Sequence, residues 1–439
     1  MSELSDHAEN SLKGKEELHA VWKNFVIAAL GYLKNQGEHG SEIPETEQEE
    51  IVFDRPNMFR RTQVRKLEYN LFISLHHEGL TEIEEYKSLA KTMAADPIIA
   101  EHTKGEVTTI VGGIYRSIWD YATYPLIKQL SKREGKFVFS EKLFTDDFLD
   151  LTRFFSSRTI RYLYVAPLIG FDSDADELTL EHGLKIRRMK MEENQRLMND
   201  LRDTGFMPVE EVRFDKFCIE LQLDVMKHFE SWDPTAAELE APSNIVARLV
   251  GSLRLFKAGD VRYNVINVAA VSDVPHLIGA NMLVGHYRGF VGNSYVLNQT
   301  ELTEFLSLRK LLTESTIPKV ALTRFELAYD RVQSEDRMID YIISLEALFL
   351  RGEFSEMTHK LSLRVAKLLE ATLDDRQRVY KEVKKLYGER SAIVHGGSTG
   401  PSHENLQRLE EIVRDSIKQL LHRLVNASHE ELLTQLDLS

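Results

Sequence analysis

A single cysteine, Cys218, stands in 439 residues, so no internal disulfide framework can hold this chain together. It lies in FDKFCIELQL, an apolar segment that reads as buried. No second cysteine or local motif marks it as a nucleophile, and a reduced packing thiol is the expectation. A basic excess is also missing. The formal net charge of -14 excludes a generic nucleic-acid-coating protein. Long apolar runs are absent as well: the stretches around Tyr162 to Phe171 and Tyr341 to Leu350 fall far short of the roughly 20 residues a bilayer requires. No membrane span is expected. The opening MSELSDHAENSLKGKEELHA has neither the apolar core of a signal peptide nor an acid-poor, Arg-rich character, so a cytoplasmic location is expected.

Several chemistries lack their motifs. HExxH is absent, and His76-His77 in LHHEG has no second ligand cluster at metal spacing, so a surface or core pair is the plain reading. LRLFKAGDV has one glycine and no Gly-Lys-Ser/Thr, which makes it a helix end capped by Gly259 rather than a phosphate loop. Ser294 in VGNSYVLN stands without the remaining parts of a nucleophile arrangement. No cofactor and no metal are expected.

What is present is a globular composition, with 43% hydrophobic and 28% charged residues, over a length that predicts two or three domains. Charge is unevenly spread: residues 301–439 carry a net -3 and the first 300 carry -11. A polyanion would meet the C-terminal part first.

The periodicities predict a mainly α fold with a smaller α+β portion. Residues 1–155 read as a mainly helical N-terminal region. Within it, 10–36 show helical spacing through Leu18, Trp22, Phe25, Ala29 and Leu33, GEHGSEIPETEQEE reads as an acidic solvated loop, and helix dominates from Arg65 to about Phe155. Residues 156–300 read as α+β and could serve as a sensor or regulatory domain. RYLYVAPLIGF and ELTLEHGLKI look like a strand pair across DSDAD, followed by a helix in MKMEENQRLMNDLR and a strand from Phe217 to Val225. SWDPTAAELEAPSN reads as a loop, Asn244 to Phe256 as a helix and Val261 to Ala269 as a strand; Asp273 to Thr300 gives no clear pattern.

Residues 301–439 read as a helical bundle. Met338, Ile342, Leu345 and Phe349 recur at four, three and four, and Leu406, Leu409, Val413, Ile417, Leu420 and Leu424 repeat the spacing. Helices through Leu361 to Leu369 and Val379 to Val394 lie between them. In the latter, Val379, Val383, Leu386, Tyr387, Arg390 and Val394 share a face, so Arg390 should point to the bundle interior or a subunit interface. A guanidinium on an apolar stripe needs a partner or a task. His395 follows five residues later, about 140° round a continuous helix and roughly 7.5 Å along it. The two side chains converge only if the helix breaks, for which Gly396-Gly397 is suited, or if a two-fold axis brings in a second copy.

Imidazole can exchange a proton with a ribose 2′-OH or a leaving oxygen near neutral pH, and Arg can hold phosphate oxygens with paired donors. A 2′-OH nucleophile requires no metal. The spacing alone is short, and Arg423 with His429, five residues between them instead of four, gives a second match at the C-terminus by chance. Glu346 falls inside the apolar arc of its helix and should need a cation, Arg390 or Arg364. Arg376, Arg378, Lys381, Lys384 and Lys385 could guide RNA or simply form a solvated face.

The strings IPKVALTRFELAYDRVQSEDRMIDYIISLEALFLRGEFSEMTHKLSLRVAKLLE and YGERSAIVHGG resemble the HEPN superfamily, of the Apea-like type, over residues ~318–425. The SLEALF helix, the LSLRVAKLL helix and the RSxIVHG ending carry the likeness. It implies a helical bundle that tends to dimerise and a metal-independent endoribonuclease, often of a toxin or antiphage system. Arg390 and His395 would be catalytic, supported by Glu346, Ser391 and Tyr387. RNA, a second copy of the chain and a regulatory ligand or protein on the N-terminal region are the expected partners. Ser391 stands where active members commonly carry Asn, Asp or His. A non-catalytic HEPN module that binds nucleic acid or a partner therefore stays open, as does a purely structural role for the Arg and His.

Overall fold

The computed structural model describes residues 15–56, 58–104, 106–109, 112–115, 117–181, 183–203, 215–227, 236–263, 265–270, 281–283, 294–353, 355–396 and 400–438. Helix dominates, with one larger sheet and small strand pairs between the helices. No helix among the described residues is long and apolar enough to cross a membrane.

The first helix, α1 (Glu16–Glu38), buries Leu18, Trp22, Phe25, Val26, Ala29, Leu30 and Leu33 along one stripe. The acidic segment after it is not the expected loop. Glu45–Arg55 forms β1, antiparallel to β2 (Met58–Leu67). The acids of β1 face the cations of β2: Glu47 pairs with Arg65 at 3.0 Å, Glu50 with Lys66 at 2.6 Å and Asp54 with Arg60 at 3.1 Å. Exposed pairs contribute only about 0–1 kcal/mol each, and the apolar end fixes the hairpin. Ile51 and Phe53 are buried with Met189, Leu197, Met198 and Cys218. The Ile51 N–H donates to Asn199 Oδ1 at 2.7 Å, and Asn199 Nδ2 donates back to the Ile51 carbonyl at 3.1 Å. Burial pushes the Cys218 thiol up to about 12, so it packs as a protonated apolar group.

Helices α2 (Tyr69–Leu75), α3 (His77–Glu82), α4 (Glu84–Ala95) and α5 (Pro97–Thr103) follow. A small hairpin, β3 (Glu106–Thr109) with β4 (Gly112–Tyr115), interrupts the helical run before α6 (Ile118–Lys132) and α7 (Glu141–Ser156). His76 packs edge-on to Phe72 and His77 edge-on to Trp119.

The larger sheet is antiparallel. Its strands are β5 (Thr159–Leu168), β7 (Glu177–Glu181), β8 (Leu184–Arg188), β9 (Phe217–Met226), β10 (Val265–Ala270) and β11 (Asn281–Leu283), in the order β11-β10-β5-β9-β8-β7. The expected strand pair is repartnered. ELTLEHGLKI makes its own hairpin, β7 with β8, while β5 lies between β9 and β10. Gly183 sits in that turn at φ +77°, and a Cβ there would lie 2.9 Å from the Gln222 carbonyl oxygen, so the turn requires glycine. Short β6 (Phe171–Asp172) pairs with β12 (Tyr295–Val296), and α8 (Met191–Asp203) packs on β1.

The expected loop at 231–244 is also corrected. Its first residues lie outside those described, and α9 (Ala236–Phe256) begins at Ala236 and runs through Pro242. The Ala-Ala-Glu-Leu-Glu-Ala start is strongly helix-forming and outweighs the one hydrogen bond that Pro242 removes.

The C-terminal bundle consists of α10 (Leu302–Glu314), α11 (Lys319–Asp330), α12 (Ser334–Phe349), α13 (Met357–Leu369), α14 (Leu373–Val394), α15 (His403–Arg423) and α16 (His429–Leu438). One continuous core links it to the preceding region, with α9 packed on α10 and α15. A buried polar network crosses this junction. Glu410 accepts from Tyr329 Oη at 2.7 Å, Tyr341 Oη at 3.0 Å, Arg337 and Arg414. Arg414 also donates to the Arg254 carbonyl at 3.0 Å.

Replacing Glu410 with Ala takes the carboxylate from the buried Arg414 and the partly buried Arg337, and we expect a loss of about 3 kcal/mol, read from the denaturation midpoint; a shift no larger than that of an exposed acid would contradict it. A second test concerns Glu326 on α11, which lies against Gly251 of α9. Burial, reinforced by Asp330 and opposed by Arg254 and Arg248, pushes its carboxyl up to about 7. A raised folded-state pKa means that its contribution is full below the unfolded value near 4.5 and is lost as pH climbs through about 7. Melting temperatures of wild type and Glu326→Gln should therefore diverge as pH rises through that window, wild type falling more.

Candidate active site

Four of the five sequence-predicted residues belong to α14 or its end, and Glu346 comes from α12. Thr372 caps the start of α14, its hydroxyl accepting the Asp375 N–H at 3.2 Å. Val379, Val383 and Leu386 are buried against the bundle. The apolar face does not continue as the wheel predicts: Val394 is 51% exposed, because the last turn runs past the helices that cover the earlier ones.

On the inner side, three residues meet. Tyr387 Oη donates to Glu346 Oε1 at 2.9 Å. Arg390, one turn further along, places Nη2 4.0 Å from Glu346 Oε2. Burial and the accepting carboxylate push the Tyr387 phenol above its ordinary value, with Arg390 opposing. Arg390 and Glu346 side chains are 24% and 19% exposed, a partly buried position in which charge interactions are less screened than at the surface. At 4.0 Å the ion pair is at the limit of contact. Arg390 Nε is buried with no hydrogen-bond partner among the described residues, which costs about 1–3 kcal/mol for such a donor. The guanidinium is held in place but incompletely satisfied.

Arg364, the other cation considered for Glu346, is engaged elsewhere. It binds Asp437 with two donors at 2.7 and 2.6 Å, Glu353 at 2.8 Å and the Phe349 carbonyl. The chance motif is likewise structural. His429 is buried, with Nε2 donating to the Leu348 carbonyl at 2.8 Å, and Arg423 reaches the Leu368 carbonyl at 3.3 Å.

His395 ends the helix. Its backbone N–H donates to the Ser391 carbonyl at 3.1 Å, and Gly396 takes the left-handed conformation at φ +73°, the common way a helix stops. Gly397 lies outside the described residues. The imidazole is exposed, and among the described residues it makes no hydrogen bond or ion pair with Arg390, Glu346 or Tyr387. The glycine break therefore presents His395 to solvent without folding it back onto Arg390 within one chain. Ser391 is partly exposed between them. Ser294 is exposed near β12 and joins no such cluster.

Sequence reasoning missed the buried cation Lys227. Lys227, at the end of β9, donates to the Phe154 carbonyl and to His102 Nε2 at 3.3 Å, with its ammonium 3.7 Å from the Phe154 ring centre. Burial lowers it to about 7 and lowers His102 to about 4. The acceptors fill its donor positions, so it joins α5, α7 and β9 as a structural tie.

No protein-family model, no curated protein and no solved structure matches the chain.

If Tyr387 and Glu346 act as a unit, a double-mutant cycle of Tyr387→Phe and Glu346→Ala should give a coupling of about 1–2 kcal/mol in unfolding free energy. Additive effects within about 0.3 kcal/mol would mean the 2.9 Å hydrogen bond contributes nothing.

Proposed function

We propose that the C-terminal bundle is a HEPN-type, metal-independent endoribonuclease acting in the cytoplasm in a toxin or antiphage role, with the larger N-terminal region as its regulator. One observation carries the reading. Arg390 is partly buried, fixed by Tyr387 and Glu346, yet left with an unbonded Nε and a 4.0 Å ion pair. The buried Nε is closed to solvent, but the guanidinium is 24% exposed and its Glu346 contact is at the limit of an ion pair, which suits its terminal nitrogens to take phosphate oxygens through two parallel donors. Five residues on, an exposed imidazole ends the same helix.

In such a site, one His395 takes the proton from a ribose 2′-OH as its oxygen attacks phosphorus. The P–O5′ bond breaks, and a protonated imidazole gives its proton to the leaving oxygen. The products are a 2′,3′-cyclic phosphate and a 5′-hydroxyl. Arg390 offsets the charge that develops at phosphorus. Because His395 does not meet Arg390 inside one chain, a cleft shared by two copies across a two-fold axis supplies both groups. That same separation favours a second reading, a non-catalytic HEPN module that binds RNA without cutting it.

The test uses full-length protein in EDTA with structured and single-stranded RNA. Wild type should cleave. His395→Ala and Arg390→Ala should each lose at least about 100-fold in rate while keeping a melting temperature near wild type. Binding without cleavage on every RNA would select the module; a large fall in melting temperature in both variants would select a structural role. Sedimentation should give a dimer, and a strict monomer would remove the shared cleft.

A further inference from the structure

Helix α14 has two different faces. Val379, Val383 and Leu386 are buried, whereas Arg378, Lys381, Lys384, Lys385 and Gly388 are exposed. At about 100° per residue, Arg378, Lys381, Lys384, Lys385, Gly388 and Ala392 lie within an arc of roughly 120°. Continuing the wheel, His395 falls inside that arc, while Arg390 lies about 180° from Lys381. The imidazole thus extends the lysine face, not the Arg390 face.

Three of the acids nearby are already occupied, while Asp374, exposed on the same face at its far end, has no ion-pair partner among the described residues. Asp375 pairs with Arg378 at 3.0 Å and Glu382 with Arg408 at 3.1 Å. Glu389 accepts from Asn405 at 2.7 Å and lies 3.8 Å from Lys385. Lys381 and Lys384 have no ion-pair partner among the described residues. Lysines three and four apart repel one another, and among the described residues only Lys385 has an acid within 4 Å to offset this. A polyanion would offset the rest.

Gly388 is the second, independent observation. It sits in the interior of α14 without a positive φ, where glycine weakens a helix. A Cβ added there would meet nothing within 4 Å, so neither backbone conformation nor packing requires glycine. What its absence of a side chain leaves is an unobstructed path between the lysines and the helix end, continued by the small Ala392. At the other end, a shallow groove is lined by Asp374, Gln377, Arg378, Lys381, Glu382 and Lys385.

We propose that the solvent face of α14 is a phosphate track: single-stranded RNA lies along Lys385, Lys384 and Lys381 and crosses Gly388 to bring its ribose to His395. This rests on the ribonuclease reading only for the chemistry at His395. The span from Lys381 to His395 is about 21 Å, room for several phosphates. One convex helix face follows one strand better than two, and a chain of net charge -14 needs a local cationic strip to hold RNA at all.

A fluorescein-labelled 2′-O-methyl oligouridine, which has no free 2′-OH to attack, reports binding by anisotropy whether or not the protein is a nuclease. For the full-length triple variant Lys381→Gln, Lys384→Gln, Lys385→Gln, affinity at low salt should fall at least tenfold. The slope of log K against log salt should shrink by about 2. Lys91→Gln with Lys142→Gln, on exposed surface elsewhere, should change neither. Gly388→Leu should raise the melting temperature while weakening binding, a combination that a structural role for this glycine does not produce. No binding by wild type, an unchanged slope in the triple variant, or full affinity in Gly388→Leu would overturn the track. Loss of cleavage with the track intact would instead count against the ribonuclease reading alone.

Discussion

The carboxylate of Glu410 is the point on which the two parts of the molecule converge. It collects donors from Tyr329 on α11, from Tyr341 and Arg337 on α12, and from Arg414 on its own helix. Burial and the neighbouring acid push both phenols above their ordinary values, so they remain donors. In a low-dielectric interior an unpaired charge is expensive; Glu410 is where Arg414 and Arg337 meet their counter-charge, although Arg337 Nε has no hydrogen-bond partner among the described residues. The bundle is therefore assembled as a set. α12 in particular is fixed at Tyr341 and again at Ser344, whose hydroxyl donates to the Ala321 carbonyl at 2.7 Å. Glu346 follows immediately on the same helix, so the acid that receives Tyr387 and faces Arg390 inherits its position from this network.

Helix α14 then divides the chemistry by angle. Its inner face carries Tyr387 and Arg390 to Glu346, while its outer face carries the lysines to an exposed His395. Five residues of separation put an imidazole and a guanidinium on different sides of one rod. If both act on one phosphodiester, as proposed, a second copy must supply one of them. The left-handed Gly396 ends the helix without reversing that divergence.

How much of this the sequence discloses depends on the range of the interactions. The bundle is legible because its helices bury periodic stripes: Met338, Ile342, Leu345 and Phe349 are all buried, as the 3.6-residue period requires. Arg390 on a stripe and Glu346 in an apolar arc are local features too. Choosing Arg390 over Arg364 for Glu346 is not local, since Arg364 is claimed by Asp437, 73 residues away. β1 escaped because its six polar residues before Ile51 look solvated until their cationic partners on β2 are placed opposite. β5, β9 and β10 all read as strands, whereas the pairing that puts β5 between the other two is not local and does not show in the sequence. Lys227 and His102, 125 residues apart, carry no shared spacing, and the exposed end at Val394 reflects where neighbouring helices stop.

The N-terminal region is coupled to the bundle by the end of α9. A helix leaves its last carbonyls without internal partners, and here α15 supplies them: Arg414 Nε donates to the Arg254 carbonyl at 3.0 Å and Lys418 Nζ to the Phe256 carbonyl at 3.1 Å. Arg254 in turn reaches Asp330 at 3.2 Å, the Glu326 carbonyl and the Val261 carbonyl. Cations at a helix C-terminus also suit its dipole. Displacing α9 would strand its carbonyls and three cations at once, and Arg414 would carry the disturbance into Glu410. A regulator acting on the N-terminal region consequently has a stiff connection to α11, α12 and α15, and through α12 to Glu346. The outer face of α14 is tied to the same α15, through Arg408 with Glu382 at 3.1 Å and Lys385 with Asn405 at 3.4 Å, so a displacement of α9 that moves α15 would reach both faces of α14.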